Sequence, residues 1–110
     1  MPYNTLMMTV VETPLFSRQV SDYWTEDERA EFASFIAVNF DAGNVVPGSG
    51  GVRKVRWGRR ASGKSGGVRV IYFNKRANGE VWLLLIYAKS VSDNIPAHVL
   101  REIREEIEND

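Results

Sequence analysis

The 110-residue chain has no cysteine and a single histidine, His98. A disulfide framework, a thiol nucleophile and a thiolate metal site are therefore excluded, and so is a metal site built from several histidines. Long apolar stretches are missing as well. The longest uncharged apolar run, Val81 to Ala88, is far too short to cross a membrane, and Met1 to Val11 has neither the basic start nor the apolar length of a signal peptide. These absences point to a cytoplasmic protein with no membrane partner, no metal and no cofactor. The most informative absence is local: between residues 42 and 79 there is not one Asp or Glu.

That gap is hidden by the overall balance. Fourteen Lys and Arg against 14 Asp and Glu give zero net charge, which taken alone argues against a basic nucleic-acid binder. By blocks, however, residues 1 to 41 carry −5, residues 42 to 79 carry +9 and residues 80 to 110 carry −4. A single-sign stretch flanked by compensating acidic segments suggests one polyanion-facing surface in an otherwise ordinary domain. With 44% hydrophobic and 11% aromatic residues, the composition is globular, and the length suits one domain spanning residues 1 to 110.

Glycine clusters at Gly48-Ser49-Gly50-Gly51 and Gly63-Lys64-Ser65-Gly66-Gly67 read as loops between short strands. Met7 to Glu12, rich in β-branched residues and ending at Thr13-Pro14, reads as a first strand. A short helix is expected over Phe16 to Tyr23. Thr25 followed three residues later by Glu28 is a capping box, and it predicts a helix from Glu26 to about Asn39 with Phe32, Phe35 and Ile36 on its apolar stripe. After the Asp41-Ala42-Gly43-Asn44 turn come three strand-like runs, Val52 to Trp57, Val68 to Asn74 and Val81 to Lys89. The last two are joined across Asn78-Gly79, a strong hairpin signal. Asn94 is a candidate cap for a last helix, with Pro96 in its first turn and Ile95, Val99, Ile103 and Ile107 as its seam. The order β-α-α-β-β-β-α predicts an α+β fold, an antiparallel sheet covered by helices on one side.

Gly58 to Ser65 matches the phosphate-loop pattern G-x-x-x-x-G-K-[ST] at every fixed position. Context rejects it. That mechanism needs a helix opening at Lys64-Ser65, whereas Gly66-Gly67 and a β-branched strand follow. Gly48-x-Gly50 fails the dinucleotide fingerprint because Arg53 occupies the third glycine's place. His98 has no Ser/Asp or second His to work with and reads as a surface residue.

The basic residues carry more information. Side chains alternate along a strand, so Lys54 and Arg56 share one face and Val55 and Trp57 the other. The same rule groups Tyr87 with Lys89, and Arg69 opens the strand between. If the three strands are neighbours, Lys54, Arg56, Arg69, Tyr87 and Lys89 converge on one patch suited to an anionic ligand. Each cation alone is more often a solvated charge with its stem over apolar surface. Nine without one acid are harder to read that way, because solvated faces mix signs. Tyr72, Tyr87 and Trp57 interleave with the cations, a composition seen where bases stack and phosphates pair, although each aromatic alone is more often core.

Three blocks, Gly48 to Trp57, Gly63 to Phe73 and Leu85-Ile86-Tyr87-Ala88-Lys89, together resemble the RelE/HigB-like toxins of bacterial type II toxin–antitoxin systems. The resemblance covers nearly the whole chain, is most specific from Gly48 to Lys89 and is weak before Thr25. It implies a small α+β fold with a curved antiparallel sheet, N-terminal helices and a C-terminal helix. It also implies an endoribonuclease that cuts mRNA on the ribosome, with a helix-turn-helix antitoxin as cognate partner. Lys54 and Arg56 match the family's basic pair, Arg69 the arginine opening the next strand, and Lys89 the basic residue after the last one. The chain departs from the pattern at Ser90, where a second arginine is expected, and at Ile95-Pro96, where a tyrosine is expected; Tyr87 is the candidate substitute.

In the mechanism this implies, the RNA 2′-hydroxyl attacks its own adjacent phosphate. Arg69 and Arg56 stabilise the charge building on the phosphorane oxygens, at roughly 3 to 4 kcal/mol per well-aimed donor. Lys54, crowded by cations, is the candidate general base, and Lys89 or Tyr87 the candidate acid. Lys and Tyr are poorly matched to proton transfer near neutral pH, so orientation by the ribosome supplies much of the rate. Arg53, Arg59, Arg60 and Lys64 are expected to bind RNA. Two rivals share the fold or the patch: a ParE-like toxin that poisons DNA gyrase, which lacks the sheet cations, and an RNA-binding module that leaves its ligand intact.

Overall fold

The structure, a computed structural model, describes residues 7–58, 67–89 and 95–109. A first strand, β1 (Thr9–Glu12), leads directly into α1 (Pro14–Gln19) and a turn of 3-10 helix, Val20–Asp22. The strand ends at Glu12 as expected, and the helix starts two residues before the sequence predicts because Thr13-Pro14 also caps it. Thr13 Oγ1 accepts a hydrogen bond from the Phe16 amide at 3.1 Å, and Pro14 fills the position where a missing N–H costs nothing. The same hydroxyl donates to the Leu84 carbonyl at 3.1 Å, which ties the cap to the sheet.

Helix α2 (Glu26–Val38) opens on the capping box as expected. The Glu28 amide donates to Thr25 Oγ1 at 3.2 Å, and the Thr25 amide donates to the Glu28 carboxylate at 2.8 Å. The predicted turn at Asp41 to Asn44 ends early, because Asn44–Val45 forms a two-residue strand, β2. It is followed by β3 (Arg53–Trp57), β4 (Val68–Lys75), β5 (Glu80–Ala88) and α3 (Ala97–Glu108). β4 and β5 form the predicted hairpin: Lys75 pairs with Glu80 around a single 3-10 turn, and Gly79 takes φ 66°, which a side chain would oppose. A strand and not a helix starts at Val68, consistent with rejecting the phosphate-loop reading. Pro96 stands at the cap of α3, one position before the first turn; Asn94, the predicted cap, lies outside the described residues.

The sheet order is β1-β5-β4-β3-β2. Every pair is antiparallel except β1 with β5, which is parallel and sits at one edge. The chain crosses over through α1 and α2 between β1 and the rest, which makes that pairing possible.

The expectation of helices on one side is overturned by the alternation along β4. Val68, Val70 and Tyr72 pack with Phe16, Val20, Trp24, Phe32 and Ile36 of the N-terminal helices, whereas Ile71 and Phe73 pack with Leu100 and Ile107 of α3. Helices therefore cover both faces. The α3 stripe is also shifted from the predicted seam: Leu100 and Ile107 are buried, Ile103 packs against them, and Val99 is not part of that core. Lys75, one residue past the predicted end of its strand, closes β4 and is 8% exposed on the α3 face. Its ammonium donates to the Ile107 carbonyl at 2.8 Å and satisfies an orphan carbonyl at the C-terminal end of α3.

On the opposite flank, Arg29 of α2 holds Glu12 of β1 with two hydrogen bonds, the Nε contact at 2.9 Å, and Ser17 adds another at 2.9 Å. The Arg29 hydrogen bond lowers the Glu12 carboxyl below its ordinary value against an opposing burial effect. A carboxyl so held contributes stability that is fully present above its unfolded value, about 4.3, and is lost as pH falls through the folded value. Glu12→Gln is expected to cost about 1 kcal/mol at pH 7, with the deficit smaller at about pH 3 than at pH 7. Thermal melts of both proteins at the two pH values check this; a deficit independent of pH would assign the loss to packing.

Candidate functional site

Strand register decides which cations meet. In β3, β4 and β5 the residues Arg56, Arg69 and Tyr87 are direct neighbours, forming one row across three strands. The adjacent row is Lys54, Ile71 and Leu85. Ile71 and Tyr87 belong to the α3-side core, so both rows lie on that face. Of the sequence-predicted patch, Lys54, Arg56, Arg69 and Tyr87 are thus brought together. Lys89 lies just past the end of β5, exposed, in a turn beside the row.

A β-bulge makes this alignment possible. Ile71 pairs with Leu85 and Tyr72 with Leu83, leaving Leu84 as an extra residue. Leu84 and Leu85 both pack on the α3 side, and beyond them the alternation restarts so that Tyr87 shares a face with Trp82. Without the extra residue, Tyr87 and Trp82 would face opposite ways.

The cations differ in burial. Arg56 is exposed, Lys54 is half-buried, and Arg69 is 8% exposed, a buried guanidinium at the centre of the row. Like charges directly opposite one another in an antiparallel pair cost up to about 1 kcal/mol. Arg56 and Arg69 are such a pair by register, and their chemistry suits an anionic ligand. Beside the row, Lys54, Ile71 and Tyr87 form the floor of a cleft of about 290 Å³. Its walls are Val46 on one side and Ile95, Pro96 and Leu100 of the α3 segment on the other. Ile95-Pro96, where the resemblance expects a tyrosine, thus forms part of one wall, whereas Val46 and Leu100 are ordinary apolar side chains that only tertiary packing brings to the cleft.

Other sequence candidates lie elsewhere. Arg53 pairs with Tyr72 on the opposite face. Its guanidinium donates to the Gly43 carbonyl at 2.7 Å and to the Asp41 carbonyl at 3.3 Å, and its contact with the Asp41 carboxylate is 3.4 Å. It anchors the loop before β2. Tyr72 belongs to the same knot. Its hydroxyl donates to the Phe40 carbonyl at 2.8 Å and accepts from the Gly43 amide at 2.9 Å, and burial raises its pKa. Trp57 packs edge-on against Phe32, with centroids 5.1 Å apart. Of the three interleaved aromatics, only Tyr87 is on the cationic face. Arg59, Arg60, Lys64 and Ser90 lie outside the described residues. His98 is exposed on the first turn of α3.

Among the described residues no cluster of His, Cys, Asp and Glu is placed to hold a metal ion, and no helix is long and apolar enough to cross a membrane. The arrangement offers positive charge, a tyrosine hydroxyl and an apolar cleft, a set suited to gripping a phosphodiester and the nucleotide attached to it.

No family model matches the chain. Among solved structures it is similar to the free state of an arginine double mutant of the E. coli toxin RelE, with a TM-score of 0.61 at 11% sequence identity. The match covers 89% of this chain and 97% of that one.

Proposed function

From a chain with the RelE fold, whose α3 face carries the Arg56–Arg69–Tyr87 row beside Lys54, we propose that this protein is a toxin of a type II toxin–antitoxin system. It acts as a ribosome-dependent mRNA endoribonuclease, is cytoplasmic, and is neutralised by a cognate helix-turn-helix antitoxin. The observation that carries this reading is the single row: three sequence-distant side chains of the right chemistry meet at one register position.

In the proposed reaction the 2′-hydroxyl attacks the adjacent phosphorus, a new P–O2′ bond forms and the P–O5′ bond breaks. The products are a 2′,3′-cyclic phosphate and a 5′-hydroxyl. Arg69 and Arg56 face the charge that develops on the non-bridging oxygens. Lys54, two residues before Arg56 on the same face, takes the 2′-hydroxyl proton. Tyr87 or Lys89 delivers a proton to O5′. Arg59, Arg60 and Lys64 bind ribosomal RNA through its phosphates.

The test is primer extension on a defined mRNA in a purified translation system, with and without ribosomes. Codon-phased cuts that require ribosomes are the expected result. Intact mRNA rejects the reading. Salt-dependent binding without cuts would favour an RNA-binding module, and loss of gyrase supercoiling a ParE-like toxin.

A further inference from the structure

The glycine cluster at 48 to 51 adds nothing to the cation row, yet it meets α3. Gly48, Gly50 and Gly51 all have positive φ, at 80°, 78° and 101°. Between them Ser49 is wholly buried, its hydroxyl donating to the Val46 carbonyl at 2.6 Å and accepting from the Val52 amide at 3.0 Å. The Val46 amide donates to the Val52 carbonyl at 2.8 Å, closing a stiff knot.

Ala97, Arg101 and Arg104 fall on one stripe of α3 by helical spacing. The Ala97 methyl lies 3.5 Å from where a Cβ on Gly48 would stand, and the Arg104 guanidinium 2.8 Å from where one on Gly50 would stand. A side chain at Gly48 would make ordinary contact with Ala97 and one at Gly50 would push the Arg104 guanidinium aside, while the positive φ strains both positions. Arg101 Nη2 donates to the Gly48 carbonyl at 2.7 Å, and Arg104 lies over the Phe73 ring at 6.0 Å. The knot carries Val46, and α3 with the two residues before it carries Ile95, Pro96 and Leu100, which are the opposing walls of the cleft above Lys54 and Tyr87.

We propose that Arg101 is a positioning residue for the RNA-cleaving face: its bond to Gly48 fixes the separation of the two cleft walls, and with it the approach of the substrate nucleotide to Lys54 and Tyr87. This role rests on the endoribonuclease reading above. Arg101 is exposed, and removing one exposed hydrogen bond changes global stability little. A change in wall spacing misplaces the substrate and does not release it, so the effect falls on the cleavage rate at saturation more than on half-saturation.

The experiment measures codon-phased cleavage in the purified translation system for the parent, Arg101→Ala, Arg101→Gln and Arg101→Lys, with a melting curve for each. Arg101→Ala is expected to lower the saturating rate by about tenfold with a melting point within about 2 °C of the parent. Arg101→Lys, which keeps a donor of nearly the same reach, is expected to restore more of the rate than Arg101→Gln, whose amide is shorter. An unchanged rate in Arg101→Ala overturns the proposal, as does a rate that falls in step with the melting point. A rise in half-saturation with no fall in the saturating rate also overturns it, because it assigns Arg101 a direct contact with RNA. A parent chain that never cuts mRNA removes the endoribonuclease reading and this role together, an outcome visible before any variant is compared.

Discussion

Replacing Arg69 with Ala should lower ribosome-dependent cleavage by a factor of about 10² to 10³, the loss typical of one preorganised donor aimed at a developing oxyanion. Arg69 is the middle member of the Arg56–Arg69–Tyr87 row and is 8% exposed. Its guanidinium therefore acts from a site where water screens it poorly, and a planar fork is able to hold two phosphate oxygens at once. Arg56 is on the same row but exposed, so Arg56→Ala should cost less, about tenfold. Arg69→Lys keeps the charge and loses the bidentate geometry, and should fall between the parent and Arg69→Ala. Primer extension ranks the four proteins, and circular dichroism checks that each is folded. Equal rates for Arg69→Ala and the parent would move the site away from this row.

Much of this site was legible before the strands were paired, and the reason is specific. Alternation placed Lys54 with Arg56 and away from Val55 and Trp57, and β3 obeys it. The Asn78-Gly79 signal joined β4 to β5, which fixed two of the three neighbours. Register between strands is a different matter, because a shift of one residue moves every side chain to the other face. The bulge at Leu84 interrupts an apolar run in which no residue type marks it. Tyr72 and Trp57 illustrate the same limit. Local pattern counts an aromatic beside a cation, but only the pairing of Arg53 with Tyr72 shows that both point to the face opposite the row. The second helical layer was missed for a related reason. An amphipathic helix announces that it has a core side, and Leu100 and Ile107 supply it, yet nothing in its own sequence says which face of the sheet it will cover.

The layer behind the cations carries the largest expected effect on stability. Phe32 is completely buried and lies at the centre of an aromatic group. Its ring centroid is 5.1 Å from Trp24, 6.4 Å from Phe35 and 5.1 Å from Trp57, the last at 83°. Truncating such a side chain costs about 3 to 5 kcal/mol through lost burial and the cavity left behind, and the edge-on contact with Trp57 adds to that. Against a domain stability of about 5 to 15 kcal/mol, Phe32→Ala should lower the melting point by roughly 15 °C or more. Phe32→Leu retains most of the volume and should cost markedly less. The consequence reaches the functional face because Trp57 is the neighbour of Arg56 on β3, pointing the opposite way. A strand that loses its backing on one side cannot hold its cation steady on the other. Phe32→Ala should therefore lose cleavage at temperatures where circular dichroism still shows a folded chain, whereas Phe32→Leu should keep it. Calorimetry and cleavage measured on the same preparations check both statements; a Phe32→Ala melting point within a few degrees of the parent would mean that this aromatic group does not support β3.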